Sequence, residues 1–203
     1  FILWGPPGVG KTTLAKIIAN QLDTPFYTLS AVNSGVKEVR EVIDKATKGR
    51  FFNEQSPILF IDEIHRFSKS QQDSLLAAVE TGAITLIGAT TENPSFEVIR
   101  PLLSRCQVYV LKSLEKQDLE ELLNRALTKD IVLKDMHIEV KETEALFRFS
   151  GGDARKLLGI LDLVTSATTD NTLIIDNATI TERLQQNPLA YDKEGEMHYD
   201  IIS

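Results

Sequence analysis

Short runs rich in apolar residues alternate with longer amphipathic stretches along the first half of the chain. The runs occupy residues 1–5, 25–32, 56–62, 83–91 and 107–111. These runs predict strands, and the unbroken apolar run within 56–62 is typical of a strand buried on both faces of a parallel sheet. Between them, apolar residues recur every three or four positions, which predicts helices. The alternation predicts the α/β class with a mostly parallel sheet.

Local signals predict where some of these helices begin and end. Ser68 and Gln71 have the spacing of a capping box, which predicts the start of a helix. Gly49 and Gly82 follow amphipathic stretches and predict the ends of two helices.

The pattern changes after Leu111, where the segments up to about residue 186 have the helical period. We therefore predict an α/β domain at 1–111 and a small α-helical domain at 113–186. Residues 187–203 are polar and mixed, which predicts a linker or arm toward a C-terminal region that the sequence lacks. The chain opens inside a strand, so we also expect an N-terminal part of the first domain to be missing.

Composition and charge narrow the class of protein without defining its function. Hydrophobic residues make up 42% of the chain and charged residues 25%, as in ordinary soluble globular proteins. No apolar run approaches the roughly 20 residues that span a bilayer. The net charge is −7, so contact with nucleic acid would need a local basic face. The single cysteine, Cys106, fits a reducing compartment, and we predict a cytoplasmic protein without a membrane partner.

The stretch GPPGVGKT at 5–12 fits the phosphate-loop pattern G-x-x-x-x-G-K-[ST] and lies between a predicted strand and helix. Glycines let backbone N–H groups curl around a phosphate, and the helix N-terminus adds positive partial charge. Lys11 is expected to reach the β- and γ-phosphates, and the Thr12 hydroxyl to bind Mg²⁺. The predicted nucleotide-binding residues are Gly5, Pro6, Pro7, Gly8, Val9, Gly10, Lys11, Thr12 and Thr13. The alternative is a Gly/Pro loop with an accidental Lys-Thr pair.

Two adjacent carboxylates, Asp62 and Glu63, follow the apolar residues 58–61. A buried carboxylate without a partner is costly, so this placement needs a reason. In phosphate-loop enzymes, an acid at the end of a buried strand holds the Mg²⁺ shell, and a neighbouring acid can activate the attacking water. We predict the first role for Asp62 and the second for Glu63. The alternative, a surface acidic pair, fits poorly with four preceding apolar residues.

Five stretches of the sequence together resemble the AAA+ ATPases of the clamp-loader-like branch. In chain order they are GPPGVGKT, LFIDEIH, LIGATTENP, LLSRC and GGDARKLLGILD. Three more specific stretches, DEIHRFSKSQQDSLL, IGATTENPSFEV and YDKEGEMHYD, resemble the replication-associated recombination family, to which the Werner-helicase-interacting ATPase is related. The resemblance covers essentially the whole chain. It implies an AAA+ α/β domain followed by a helical lid, with ATP and Mg²⁺ as cofactors.

The resemblance also implies roles for residues outside the phosphate loop. Thr91, with Thr90 as the nearby alternative, would sense the γ-phosphate or the attacking water. Arg105 resembles the arginine finger that acts in trans on a neighbouring subunit's nucleotide, and its alternative is a surface salt bridge. Arg155 resembles the sensor arginine that contacts the γ-phosphate in cis. With Asp153 as N-cap, Arg155 would lie in the first turn of a helix, where the dipole disfavours a cation unless it serves an anion.

The function implied by the resemblance is a DNA-dependent ATPase in replication-fork maintenance, recombination and repair. It would act on DNA ends, gaps or single-strand/duplex junctions, associated with the nucleoid in the cytoplasm. The implied partners are single-stranded-DNA-binding protein and further copies of the chain, joined through the absent C-terminal region. Three alternatives remain open: a sliding-clamp-loader subunit, a Holliday-junction branch-migration motor and a scaffold that binds ATP without turnover.

Some polar features have more than one interpretation. The amphipathic stretch at 34–50 carries basic side chains that form either a DNA-facing stripe or, given the interleaved acids, a plain solvated face. These basic residues are Lys37, Arg40, Lys45, Lys48 and Arg50. His65 is expected either to hydrogen-bond the catalytic acid or to face a pore, and zinc is not expected there. Beyond the capping box, the pattern does not indicate a function for the polar segment 66–73. Phe51 and Phe52 are expected in the core or at an interface.

Overall fold

The structure is a computed structural model that describes residues 1–31, 35–50, 56–166 and 172–186. The predictions for Phe51, Phe52 and the arm at 187–203 lie outside the described residues, as does the side chain of Arg50. The chain divides into two compact units, the first comprising Phe1–Ser113 and the second beginning at Leu114.

The first unit contains a five-stranded parallel sheet flanked by helices, which confirms the predicted α/β class. Its strands are β1 (Ile2–Trp4), β2 (Phe26–Ser30), β3 (Ile58–Asp62), β4 (Thr85–Thr90) and β5 (Val108–Val110). Its helices are α1 (Lys11–Gln21), α2 (Val36–Arg50), α3 (Lys69–Glu80), α4 (Pro94–Glu97) and α5 (Arg100–Leu103), with a 3-10 turn at Ile64–Arg66.

The strands lie in the order β2-β3-β4-β1-β5, and every neighbouring pair is parallel. The carboxyl ends of parallel strands meet at one edge of a sheet, where ligands of α/β proteins bind. In this sheet the ends of β1, β3 and β4 therefore share an edge. The phosphate loop follows β1, Asp62 ends β3 with Glu63 directly after it, and Thr90 ends β4.

Strand β3 is buried on both faces of the sheet, as its unbroken apolar run predicts. Ile58 and Phe60 belong to a core cluster that contains Ala15 of α1. Leu59 and Ile61 belong to a second cluster on α3. Because successive side chains of a strand point to opposite faces, two helix layers can clamp one strand. This burial fixes the position of the acids at the end of the strand.

The helix boundary signals are reproduced with one correction. Ser68 and Gln71 form the predicted capping box, with Ser68 N donating to Gln71 Oε1 at 2.8 Å. Gly82 follows α3 with a φ of 64°, the left-handed conformation typical of a helix end. Gly49, by contrast, does not end α2, which continues to Arg50. A glycine inside a helix costs only about 1 kcal/mol relative to alanine, too little to stop a helix by itself.

Where the structure describes it, the second unit contains four helices around their own apolar core, and also a small sheet that the sequence did not predict. The helices are α6 (Lys116–Lys129), α7 (Glu144–Ser150), α8 (Ala154–Ser166) and α9 (Asn177–Gln186), with a 3-10 turn at Leu133–Asp135. Strands β6 (His137–Val140) and β7 (Thr172–Ile175) form a parallel pair. Four residues are too few for periodicity to separate a strand from a helix, so only the pairing reveals them. No helix among the described residues is long and apolar enough to cross a membrane.

Candidate nucleotide-binding site

The glycines of the loop between β1 and α1 are required by its geometry. A Cβ on Gly5 would lie 2.3 Å from the carbonyl oxygen of Leu111, so no larger residue fits there without a backbone shift. Gly8 and Gly10 have φ values of 70° and 90°, in the left-handed region that favours glycine. Gly5 N also donates to Thr90 O at 3.2 Å, which ties the start of the loop to the end of β4.

Lys11, the first residue of α1, is held inside the loop that precedes it. Its side chain is buried, and its Nζ donates to the carbonyl oxygens of Gly5 at 2.7 Å and Pro6 at 2.8 Å. A buried ammonium group needs such partners. The first turn of α1, which the structure describes in full, carries no acidic side chain. The loop therefore presents a lysine and the positive end of a helix together, which suits a phosphate group.

Two oxygen-bearing side chains are the candidate ligands of a magnesium ion that would accompany that phosphate. Thr12 is half-buried in the first turn of α1, and Asp62 is half-buried at the end of β3, in register with Ser30 of β2. Mg²⁺ typically takes only one or two ligands from a protein, together with phosphate oxygens and water. A hydroxyl and a carboxylate are oxygen donors of this kind, so Thr12 and Asp62 fit the predicted magnesium ligands chemically. Thr13 is exposed.

Glu63 differs from Asp62 in its backbone as well as its side chain. Asp62 is the last residue of β3, whereas Glu63 has φ 54° and ψ 47° in the left-handed region. For a residue other than glycine, this conformation costs of order 1–3 kcal/mol and tends to occur at functional sites. The Glu63 carboxylate lies 3.3 Å from His65 Nε2 and 3.7 Å from Arg66 Nε. One of the two expectations for His65, a contact with the candidate catalytic acid, is present.

His65 also contacts the end of β4. Its Nδ1 lies 3.0 Å from Oγ1 of Thr90, which is fully buried. Thr90 Oγ1 accepts from Glu92 N at 3.0 Å and lies 3.1 Å from Glu92 O. Thr91 follows the strand and is half-buried. Of the two threonines proposed as phosphate sensors, Thr90 is the one whose hydroxyl has protein partners, and the sensor role of Thr91 stays a prediction.

Arg105 lies just after α5 on the surface of the first unit. Its Nη2 lies 2.5 Å from Oε1 of Glu80, the last residue of α3, and its Nη1 donates to Pro101 O at 2.7 Å. The surface salt bridge, which is the alternative interpretation of Arg105, is therefore present. Exposed ion pairs contribute about 0–1 kcal/mol, so the Arg105 guanidinium can exchange Glu80 for another anion at little cost.

Arg155 lies in the second unit, in the first turn of α8. Asp153 caps this helix as predicted: its Oδ1 accepts from Arg155 N at 2.7 Å and Lys156 N at 3.2 Å. The Arg155 side chain is 67% exposed, and its Nη2 lies 3.8 Å from Asp153 Oδ2. The placement in a first turn therefore matches the prediction, and the guanidinium is accessible.

One further polar residue shapes the first unit. Gln72 of α3 is buried: its Nε2 donates to Phe67 O at 3.0 Å and Glu97 O at 3.1 Å, and its Oε1 accepts from Ile99 N at 2.9 Å. It therefore holds the segment between β4 and α5 against α3. One signal for this role is present in the sequence, because Gln72 precedes the core residue Leu75 by three positions and so shares its helix face.

The basic stretch of α2 has the character of a solvated face where its side chains are described. Lys37 lies 3.8 Å from Glu41, one turn further along the helix, and both side chains are exposed. Such i,i+4 pairs are ordinary features of solvent-facing helices.

Comparison with known proteins defines the class to which this fold and site belong. The family described as "ATPase family associated with various cellular activities (AAA)" matches residues 1–114, and the AAA C-terminal domain matches residues 132–203. The first match alone covers more than half of the chain. The chain therefore belongs to the AAA family of ATPases.

Within this class, the chain is similar over its whole length to two named proteins. It is 44% identical to Replication-associated recombination protein A of Haemophilus influenzae and of Escherichia coli K12, and it covers 46% of each. It is also 44% identical to ATPase WRNIP1 of Dictyostelium discoideum, of which it covers 25%. The resemblance predicted from the sequence is confirmed. The chain spans about half the length of these bacterial relatives and a quarter of the length of the eukaryotic one.

Solved structures agree with the fold. The Thermotoga maritima RuvB Holliday junction branch migration motor matches with a TM-score of 0.73 at 30% identity. The match covers 91% of this chain and 60% of RuvB.

Proposed function

We propose that this chain is the ATPase core of a protein that acts on DNA in replication-associated recombination, remodelling DNA ends, gaps or junctions at the cost of ATP. The observation that carries the proposal is the shared edge of the sheet in the first unit. The phosphate loop with Lys11 follows β1, Asp62 ends β3 with Glu63 directly after it, and Thr90 ends β4. The name of the bacterial relatives that are 44% identical, Replication-associated recombination protein A, supports the context of replication and recombination.

The proposed chemistry is hydrolysis of the bond between the β- and γ-phosphates. Residues 5–13 and the Lys11 ammonium hold the phosphates, and Thr12 and Asp62 would hold Mg²⁺, which neutralises phosphate charge when bound. Glu63 orients a water molecule and accepts its proton as the water oxygen bonds to the γ-phosphorus. The electron pair of the broken bond leaves with ADP, and inorganic phosphate is the second product.

Three further residues complete the proposed machinery. Thr91, or Thr90 in its place, reads the γ-phosphate or the water, and Arg155 contacts the γ-phosphate bound by its own chain. Arg105 acts on the nucleotide of a neighbouring copy, exchanging Glu80 for the phosphate charge. This requires a homo-oligomer, which we propose assembles through a C-terminal region beyond residue 203, with single-stranded-DNA-binding protein as a partner near the nucleoid. The α/β domain at 1–111 and the lid at 113–186 are the proposed working parts.

A Holliday-junction branch-migration motor is the second candidate, favoured by the likeness to RuvB. The identity to RuvB is 30%, against 44% for the replication-associated recombination proteins. Branch migration of a four-way DNA junction, measured with the complete protein, separates the two candidates.

The test is the ATPase rate of the complete protein with and without DNA ends, compared with Glu63→Gln. Loss of a general base lowers turnover by roughly 10²–10⁴-fold, whereas ATP binding should persist. Glu41→Gln makes the same chemical change at an exposed acid on α2 and serves as the matched control. Unchanged turnover in Glu63→Gln would refute the role of Glu63, and a rate indifferent to DNA ends would refute the DNA-dependent part.

A further inference from the structure

One side chain links two of the strand ends that form the candidate site. The His65 side chain is 12% exposed, and each of its ring nitrogens has a partner. Nε2 lies 3.3 Å from the Glu63 carboxylate, and Nδ1 lies 3.0 Å from the Thr90 hydroxyl. Glu63 follows β3 and Thr90 ends β4, so the ring bridges two neighbouring strands at their carboxyl ends.

The hydrogen positions along this bridge depend on one another. An ionised Glu63 carboxylate only accepts hydrogen bonds, so Nε2 must carry the hydrogen that joins them. In the neutral ring Nδ1 is then an acceptor, and the Thr90 hydroxyl is its donor. Thr90 has one hydroxyl hydrogen, and the carbonyl oxygen of Glu92, 3.1 Å away, competes for it. The direction of this hydroxyl therefore decides whether the His65 ring is held at both ends.

The backbone on either side of the His65 ring is held in place by a left-handed turn and by packing against β4. Glu63 adopts the left-handed conformation that turns the chain from β3 into the 3-10 turn. Ile64, fully buried, packs over Gly88 of β4, where an added Cβ would lie 3.0 Å from its Cδ1. A glycine in a strand often marks such a close approach. The turn that carries His65 is therefore seated directly on the strand that ends in Thr90.

We infer that His65 is a positioning residue that couples the end of β4 to the carboxylate of Glu63. The inference rests on the proposed function, in which Glu63 activates water. A ligand group that binds at the end of β4 changes whether the Thr90 hydroxyl donates to Nδ1. The orientation of the His65 ring then changes, and with it the position of the Glu63 carboxylate. His65 itself touches neither phosphate nor water in this scheme. It sets where the carboxylate points.

The central experiment compares kcat at saturating ATP with the Kd for ATP in the complete protein. His65→Ala should lower kcat by roughly 10- to 100-fold, the range that misplacement of a catalytic group by about 1 Å produces. Its Kd for ATP should stay within about twofold of the wild-type value, because the lost contact affects the chemical step and not ground-state binding. His137→Ala, which removes an exposed histidine at the start of β6, is the matched control and should change neither quantity.

Two double variants distinguish positioning from a general structural defect. In a Glu63→Gln background, His65→Ala should cause no further loss, since its effect acts through the Glu63 carboxylate. Thr90→Val removes the hydroxyl at nearly constant shape and should lower kcat by a similar factor to His65→Ala. The double variant of Thr90→Val and His65→Ala should lose no more activity than either single variant. Thr90→Ser restores a hydroxyl and should turn over several-fold faster than Thr90→Val.

Each result supports or overturns the inference. Unchanged kcat in His65→Ala, a further loss on top of Glu63→Gln, or full additivity with Thr90→Val would overturn it. If His65→Ala does not fold, the comparison of Thr90→Val with Thr90→Ser, with and without Glu63→Gln, decides the question. An active Glu63→Gln would instead refute the proposed function, which keeps the two failures distinguishable.

Discussion

The two units hold their candidate site residues in different ways. In the first unit, the contacts join residues far apart in sequence: His65 meets Thr90, and Gly5 lies against Leu111. In the second unit, the surroundings of Arg155 come from its own helix start, where Asp153 caps the first turn. A sheet edge can thus build a rigid polar arrangement from several strands. A capped helix start presents its arginine to solvent, and the effect of that cation depends on the anion that it meets.

The largest expected effect concerns which chain each arginine serves. In the complete protein, Arg105→Ala should lower turnover by about 10³–10⁵-fold, the range of arginine fingers that stabilise the charge on a transferring phosphoryl group. Mixing it with the inactive Lys11→Ala should restore turnover, because the Lys11→Ala subunits still supply Arg105 to their neighbours. ATPase assays of the mixtures measure this complementation.

Arg155→Ala provides the contrast within the same assay. Lys11 and Arg155 are proposed to serve the same nucleotide, so mixing Arg155→Ala with Lys11→Ala should restore nothing. Complementation by Arg155→Ala would refute its role in cis, and its absence for Arg105→Ala would refute the role of that residue in trans.

A matched pair of glycine substitutions compares how much an added methyl group changes the free energy of unfolding in each unit. Gly5→Ala places a methyl group 2.3 Å from a backbone oxygen and should destabilise the protein by about 1–3 kcal/mol, as overpacking does. Gly159→Ala, on an exposed position of α8 with no atom within 4 Å of the added Cβ, should stabilise it by about 0.5–1 kcal/mol. The free energy of unfolding from denaturant titration checks both. Equal effects at the two positions would contradict the contrast.

The smallest expected effect is a dependence of the second unit on acid. Hydrogen bonds from Thr179, foremost from its backbone N–H at 2.7 Å, lower the pKa of Asp176 below its ordinary value of 3.8. A lowered pKa stabilises the fold above the ordinary value, and this contribution is lost as pH falls through the folded-state pKa. Unfolding of the second unit should therefore become easier below a pH of about 4.

Asp176→Asn should flatten this dependence, because the uncharged amide does not titrate. Asp135→Asn, at an exposed position in the 3-10 turn of the same unit, is the control. Circular dichroism during denaturant titration at several acidic pH values measures the difference. An unaltered pH profile in Asp176→Asn would show that the stabilising carboxylates lie elsewhere.

The sequence by itself determined the features that depend on local pattern. The phosphate loop, the buried strand that ends in two acids and the capping box at Ser68 all follow from residue type and short spacing. Each is governed by sterics or hydrogen bonds within a few residues, so one sequence contains the necessary information. The parallel α/β class followed because strand and helix periods alternated over a hundred residues.

Tertiary structure alone decided the contacts between distant segments. The sequence named His65 and Thr90, but only the register of β3 against β4 places the ring nitrogens between Glu63 and Thr90. The β6–β7 pair, the Gln72 hydrogen bonds and the Glu80–Arg105 ion pair arise in the same way. These interactions depend on which elements become neighbours in space. The periodicity of a sequence predicts each element separately and does not specify which elements pack together.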